Sequence, residues 1–198
     1  MRRKPNPQQR RRELCDTAIR LIAGDGLKGV SHLKVDRGAG VPEGTTSFYF
    51  RTRAALLRAV AERVAELDLK DLTAATSEPS GLADLVARSA TGQRRIRTKA
   101  RTELALEAAR DPALANALRA NTERFFELIR ADVLRLQPAG GEISPTVVDA
   151  QTYAVMMFIS GVMLTRSSGG DGVRTAAELD RILAGIVAGV ARQHDSLP

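Results

Sequence analysis

Residues 31–56 read SHLKVDRGAGVPEGTTSFYFRTRAAL, and the reading of this stretch decides the rest. Ser31 suits a helix N-cap, because its hydroxyl can accept from a free N–H two or three residues on. Val35 and Ala39, four apart, share one face of that helix. Gly40 follows, and only glycine enters the left-handed conformation of a tight turn without steric cost. Val41 is expected to point inward, and Pro42 suits the first position of a second helix, where its missing N–H is not needed. The run Glu43, Gly44, Thr45, Thr46, Ser47, Phe48, Tyr49 is polar at first and aromatic at its end. The pattern predicts a helix-turn-helix. Its second helix is narrow enough for a DNA major groove and carries donors and acceptors for base edges.

The charge is distributed to match. Residues 1–63 hold 14 Lys/Arg against 6 Asp/Glu, a net +8, whereas residues 64–198 hold 16 against 17. All net positive charge therefore lies around the helix-turn-helix, which favours a polyanion partner over a merely solvated face. Three helix starts in this region carry a cation where the helix dipole disfavours one: Arg10, Arg11 and Arg12 at the beginning of the first helix, Lys34 after Ser31, and Arg53 after Thr52. A helix N-terminus free of carboxylate is suited to phosphate.

Working outward, residues 1–9 (MRRKPNPQQ) read as a basic arm. A first helix is predicted from about 8 to 23, with Leu14, Ala18, Leu21 and Ile22 on its apolar stripe. The helix begun after Thr52 should reach about 72. Further helices are predicted to about 91, over 93–110, from the cap Asp111-Pro112 to about 137, from Ser144-Pro145 to 166, and over 175–194. No stretch alternates convincingly enough for a strand, so the fold class is all-α. The organisation expected is a basic arm at 1–9, a three-helix DNA-binding unit at 10–55 and a larger helical effector-binding and dimerisation domain at 56–198. The last helix has a wide apolar face, and Gly185 and Gly189 sit four apart along it, a spacing that allows close approach of another helix.

The stretch AGVPEGTTSFYFRTRAALL resembles the helix-turn-helix of the TetR family of one-component bacterial transcriptional regulators. The matching residues are Ser31, Val35, Ala39-Gly40-Val41, Gly44-Thr45, Phe48-Tyr49-Phe50, Arg53 and Leu56, within about residues 10–65. Three positions depart from the family pattern: Asp36 replaces the usual Ala, Thr46 a larger apolar residue, and Ser47 a common Tyr. The resemblance implies a cytoplasmic homodimer that binds double-stranded DNA at an inverted repeat. It implies a four-helix dimer interface from the last two helices, here with Ile182, Gly185, Ile186 and Gly189. It also implies an effector that moves the helix after the helix-turn-helix and releases the operator. Thr45 is the first base-contact candidate, followed by Thr46, Ser47 and Phe48. Tyr49, Arg51, Arg53, Lys34 and His32 are candidates for phosphate or groove contacts. Phe125, Tyr153, Met156, Met157 and Met163 are candidates for an effector pocket, since Met and aromatics suit adaptable apolar sites. With no fixed charge evident among them, a neutral, apolar effector is expected.

Other chemistry is poorly represented. His32 and His194 are the two histidines and lack metal-ligand spacing to any partner. The single cysteine, Cys15, excludes an intramolecular disulfide. There is no nucleophile–base set, phosphate loop or dinucleotide fingerprint, so no cofactor and no enzymatic activity are expected. Glu103 and Glu107 read as partners of Lys99 and Arg110 rather than as catalytic carboxylates. The N-terminus lacks a signal-peptide pattern. The apolar stretch 150–164 is expected to be a buried helix too short to span a bilayer comfortably. The competing function is a helical interaction or scaffolding protein with a weakened DNA module, which Asp36 and Thr46 would support.

Overall fold

The computed structural model describes residues 6–77, 81–119, 122–137, 143–170 and 175–195. The first five residues of the expected basic arm, and the loop expected at 138–142, lie outside them. Among the described residues the chain forms ten helices: α1 Pro7–Asp25, α2 His32–Ala39, α3 Thr45–Tyr49, α4 Arg53–Ala75, α5 Gly81–Arg88, α6 Gly92–Ala108, α7 Pro112–Arg119, α8 Thr122–Arg135, α9 Pro145–Ser167 and α10 Ala176–Asp195. A 3-10 turn, Leu27–Gly29, separates α1 from α2.

The local signals act where the sequence places them. Ser31 Oγ accepts from Lys34 N at 3.2 Å, and Thr52 Oγ1 accepts from Ala55 N at 3.1 Å. Asp111 Oδ1 accepts from Ala113 N and Leu114 N at 3.0 and 3.1 Å, ahead of Pro112. Thr175 and Glu178 form a reciprocal capping box at the start of α10. One predicted helix is two: the stretch 112–137 is divided into α7 and α8. Leu114 of α7 is claimed by one hydrophobic core, Ile129 and Val133 of α8 by another.

The chain divides into two compact units, Met1–Leu67 with Arg95–Ala120, and Asp68–Arg94 with Asn121–Pro198. In the first, Leu14, Ala18 and Ile22 of α1 meet Val35 of α2, Leu56, Val60 and Val64 of α4, Leu104 of α6 and Leu114. Each such fully buried aliphatic side chain stabilises by roughly 1.5–3 kcal/mol. Arg63 of α4 grips the Asp16 carboxylate of α1 with Nε at 2.8 Å and Nη2 at 3.2 Å, a bidentate pair across the two helices. Cys15 is buried beside this pair. Burial, with Asp16 adding to it, pushes its thiol up to about 12 from 9.0. Alkylation of Cys15 at pH 8 is therefore expected to be slower in the native chain than in the unfolded chain by on the order of a thousandfold, from thiolate fraction alone. Rapid labelling under native conditions would contradict this burial.

In the second unit α9 packs on α8 and α10, and α10 packs on α5. Its core draws on Leu82 and Val86 of α5, Ile129 and Val133 of α8, Val155 and Ile159 of α9, and Leu179, Leu183 and Val187 of α10. Gln151 is fully buried within α9. Its Nε2 donates to Val187 O at 2.8 Å, and its Oε1 accepts from Gln137 Nε2 at 2.7 Å. These bonds offset the cost of desolvating the amide. The sequence expectation for α9 needs correction in two respects. The helix has 23 residues, enough by length and composition to cross a membrane, and only one third of its most apolar window is buried within the chain. Tyr153, Met157 and Leu164 remain exposed along it. On α10, a Cβ added at Gly185 or Gly189 would meet no atom within 4 Å, so the chain itself does not use these glycines for close helix packing.

Candidate nucleic-acid interface

The helix-turn-helix is held by polar contacts that its separate residues do not announce. Gly40 closes α2 in the left-handed conformation, φ 63°, as the turn requires. Val41 packs inward against the first core. The following helix begins at Thr45 rather than at Pro42, because Gly44 takes φ 91°, which no right-handed helix accommodates. With five residues, α3 is far too short to be stable by itself. It is fixed from both ends.

At its N-terminus the anchor is Asp36 of α2, 1% exposed. Oδ2 accepts from Gly44 N at 2.8 Å, and Oδ1 from Thr46 N at 2.7 Å and from Thr46 Oγ1. A carboxylate at a helix N-terminus both satisfies free N–H groups and opposes the dipole favourably. The two departures from the family pattern are thus partners. Thr46 is fully buried, with its hydroxyl committed to Asp36, and this corrects its assignment as a base contact.

At the other end, Arg11 of α1 donates from Nη1 to Tyr49 O at 3.0 Å, and its guanidinium lies 4.5 Å from the centre of the Phe50 ring. His32 Nε2 donates to Phe50 O at 2.6 Å. Both satisfy carbonyls left over at the end of α3. His32, half-buried, thereby helps to hold the end of α3. The cations at the start of α1 are likewise engaged: Arg10 pairs with Glu13 at 2.7 Å and Arg12 with Glu66 at 3.2 Å. Sequence reasoning missed Arg11 and Asp36 as functional residues. Their partners lie 38 and about ten residues away, and only the fold brings them together.

What faces outward is compact. Phe48 is 79% exposed and meets Tyr49 edge-on, ring centres 5.3 Å apart. Ser47 is exposed and Thr45 half-exposed. Thr45 Oγ1 donates to Pro42 O at 2.6 Å and Ser47 Oγ to Gly44 O at 2.9 Å. Their protons are used internally, which leaves each hydroxyl oxygen its lone pairs as acceptors. Lys34 and Arg51 flank this face, both exposed, with no ion pair among the described residues. Arg53 is exposed but tied down, donating to Leu27 O at 2.6 Å and Val30 O at 3.3 Å. No acidic residue stands in the first turn of α1, α2, α3 or α4.

Comparison with known proteins decides the family. The family model described as tetracyclin repressor-like, C-terminal domain, matches residues 77–189, more than half of the chain. The chain belongs to the TetR family of transcriptional regulators. No curated protein sequence matches it. Among solved structures, a TetR-family regulator from Rhodococcus sp. superposes with TM-score 0.69 at 18% identity, covering 93% of this chain and 99% of the other. The multidrug-binding protein EbrR complexed with ethidium gives TM-score 0.66 at 24% identity, covering 92% and 99%. A transcriptional regulator from Saccharomonospora viridis in complex with choline gives 0.72 at 18%, covering 91% and 96%. As a TetR-family member the chain is a DNA-binding regulator and not an enzyme, and its all-α architecture is that of these neighbours.

In this TetR-family chain three of the five residues expected at an effector pocket pack against one core. Phe125, Met156 and Met163 are half-buried against the second core, and Tyr153 is exposed. Met157 alone of the five borders a depression of about 340 Å³, open to solvent, together with Phe158, Val162 and Leu179. Arg166, in the last turn of α9, lines the same depression with its side chain buried.

Proposed function

We propose that the chain is a soluble, cytoplasmic homodimeric repressor that binds an inverted-repeat operator and leaves it when a small molecule occupies the helical domain. Residues 10–55 act as the reading head and residues 56–198 as the effector and dimer part. The observation that carries the DNA reading is the rigid presentation of Thr45, Ser47 and Phe48 on a helix anchored at both ends, within the basic third of the chain. The scaffolding alternative loses its support, because Asp36 and Thr46 satisfy each other instead of spoiling the motif.

The roles follow from the chemistry on the outer face. Thr45 and Ser47, as acceptors, suit the exocyclic amino groups of adenine or cytosine in the major groove, and Phe48 suits a thymine methyl. Lys34 and Arg51 serve phosphates. Arg53 ties the turn before α2 and contributes less to phosphate binding than its charge suggests. Small ligands accompany EbrR and the S. viridis regulator, which supports an effector for this chain.

Affinity for operator and for random DNA across a salt series tests these roles. Thr45→Ala is expected to reduce discrimination between the two DNAs. Arg51→Ala is expected to weaken both alike and to lower the log–log salt slope by about 1.8, that is about 0.9 for each of two phosphates lost by a dimer. A slope unchanged by Arg51→Ala, or equal losses on both DNAs with Thr45→Ala, would reverse the assignments.

A further inference from the structure

Arg166 is 5% exposed. Its Nη1 donates to Val86 O at 2.5 Å and to Ala87 O at 2.9 Å, near the end of α5. Its Nε and Nη2 are buried with no hydrogen-bond partner among the described residues. No carboxylate answers it among the described residues, and burial alone lowers its pKa. A guanidinium half-satisfied in this way is incomplete, because buried donors in folded proteins are almost always paired.

Which donors are left over is informative. Nε–H and the neighbouring Nη2–H project in parallel from one edge of the guanidinium, the fork that matches the two oxygens of a carboxylate. That residue borders the 340 Å³ depression, whose other walls include Met157, Phe158, Val162 and Leu179. Gly161 leaves the mouth open, with nothing within 4 Å of where its Cβ would stand. The volume lies at the small end of ligand sites. A buried charged fork beside walls that are apolar except for Thr165 describes a ligand with one anionic head and a short apolar body.

Resting on the effector reading above, we propose that the effector is an amphiphilic monocarboxylate whose head is held side-on by Arg166. The buried fork opens to it through rotation of flexible neighbours such as Met157, an unbranched side chain that repacks readily. Head-group preference is the opposite of that shown by a site for ethidium or choline, because a cation would face an uncompensated guanidinium.

The test holds the tail constant and changes the head. Binding of octanoate, 1-octanol and octyltrimethylammonium to the full chain is measured by calorimetry, alongside operator release. Octanoate is expected to bind at least tenfold more tightly than octanol, and the ammonium not at all. Arg166→Gln should erase the preference for octanoate. Because Arg166 also caps α5, Gly161→Leu provides a second variant that fills the depression and leaves the fork in place; it should abolish octanoate binding in a chain with unchanged melting. Equal binding of octanoate and octanol, or preference for the ammonium, overturns the carboxylate site while leaving the effector reading standing. Absence of binding by all three, together with weaker self-association of Arg166→Gln, would assign the fork to a carboxylate of a second copy and also overturns the proposal.

Discussion

Asp36→Ala is expected to lower the melting temperature by about 10 °C and to remove operator-specific binding. The carboxylate is almost fully buried and accepts from Gly44 N, Thr46 N and the Thr46 hydroxyl. Its removal leaves three donors without their acceptor, two of them on the buried Thr46, at a cost of about 4 kcal/mol. For a chain of this length each kcal/mol moves the midpoint by roughly 2–4 °C. Because α3 is too short to persist without its anchors, the reading face should lose order before the rest of the first core does. Asp36→Asn should recover only part of the loss, since its amide nitrogen would face another donor. Thr46→Val keeps the volume and loses one bond, about 1 kcal/mol, and should leave base preference unchanged. These outcomes are read by thermal melting and by binding to operator and random DNA. A Thr46→Val protein with altered base preference and unchanged melting would return Thr46 to the DNA face.

Gly185→Leu is expected to weaken self-association by roughly 100-fold, because overpacking at a well-fitted contact costs about 1–3 kcal/mol and a two-fold interface meets the change twice. The same substitution should not destabilise the isolated chain. A Cβ at Gly185 enters open space within it, and the neighbouring apolar surface of α9, with Tyr153, Met157 and Leu164, is already uncovered. Sedimentation equilibrium should therefore show monomers with native circular dichroism, and affinity for a full inverted repeat should fall with the dimer. A persistent dimer would move the interface away from α10. A monomer that melts early would show that Gly185 serves internal packing instead.

The sequence by itself determined the local features: the caps at Ser31, Thr52 and Asp111, the left-handed turn at Gly40, the apolar stripes and the all-α class. Each depends on groups within a few residues of one another, where backbone geometry alone dictates who meets whom. The placement of positive charge was equally legible, because it is a sum over residues and needs no fold. The tertiary structure decided the rest. Asp36 and Thr46 looked like two separate departures until a left-handed turn brought them into one hydrogen-bonded unit. Thr46 proved to be an inward anchor because α3 starts at Thr45, three residues later than Pro42 suggested, and that shift turns its side chain toward the core. Arg11, read from the sequence as one of three cations at the start of the first helix, reaches Tyr49 across 38 residues of sequence. Arg166 finds Val86 across 80. Contacts of that separation are set by which helices share a core, and side-chain pattern along a single helix carries no record of them.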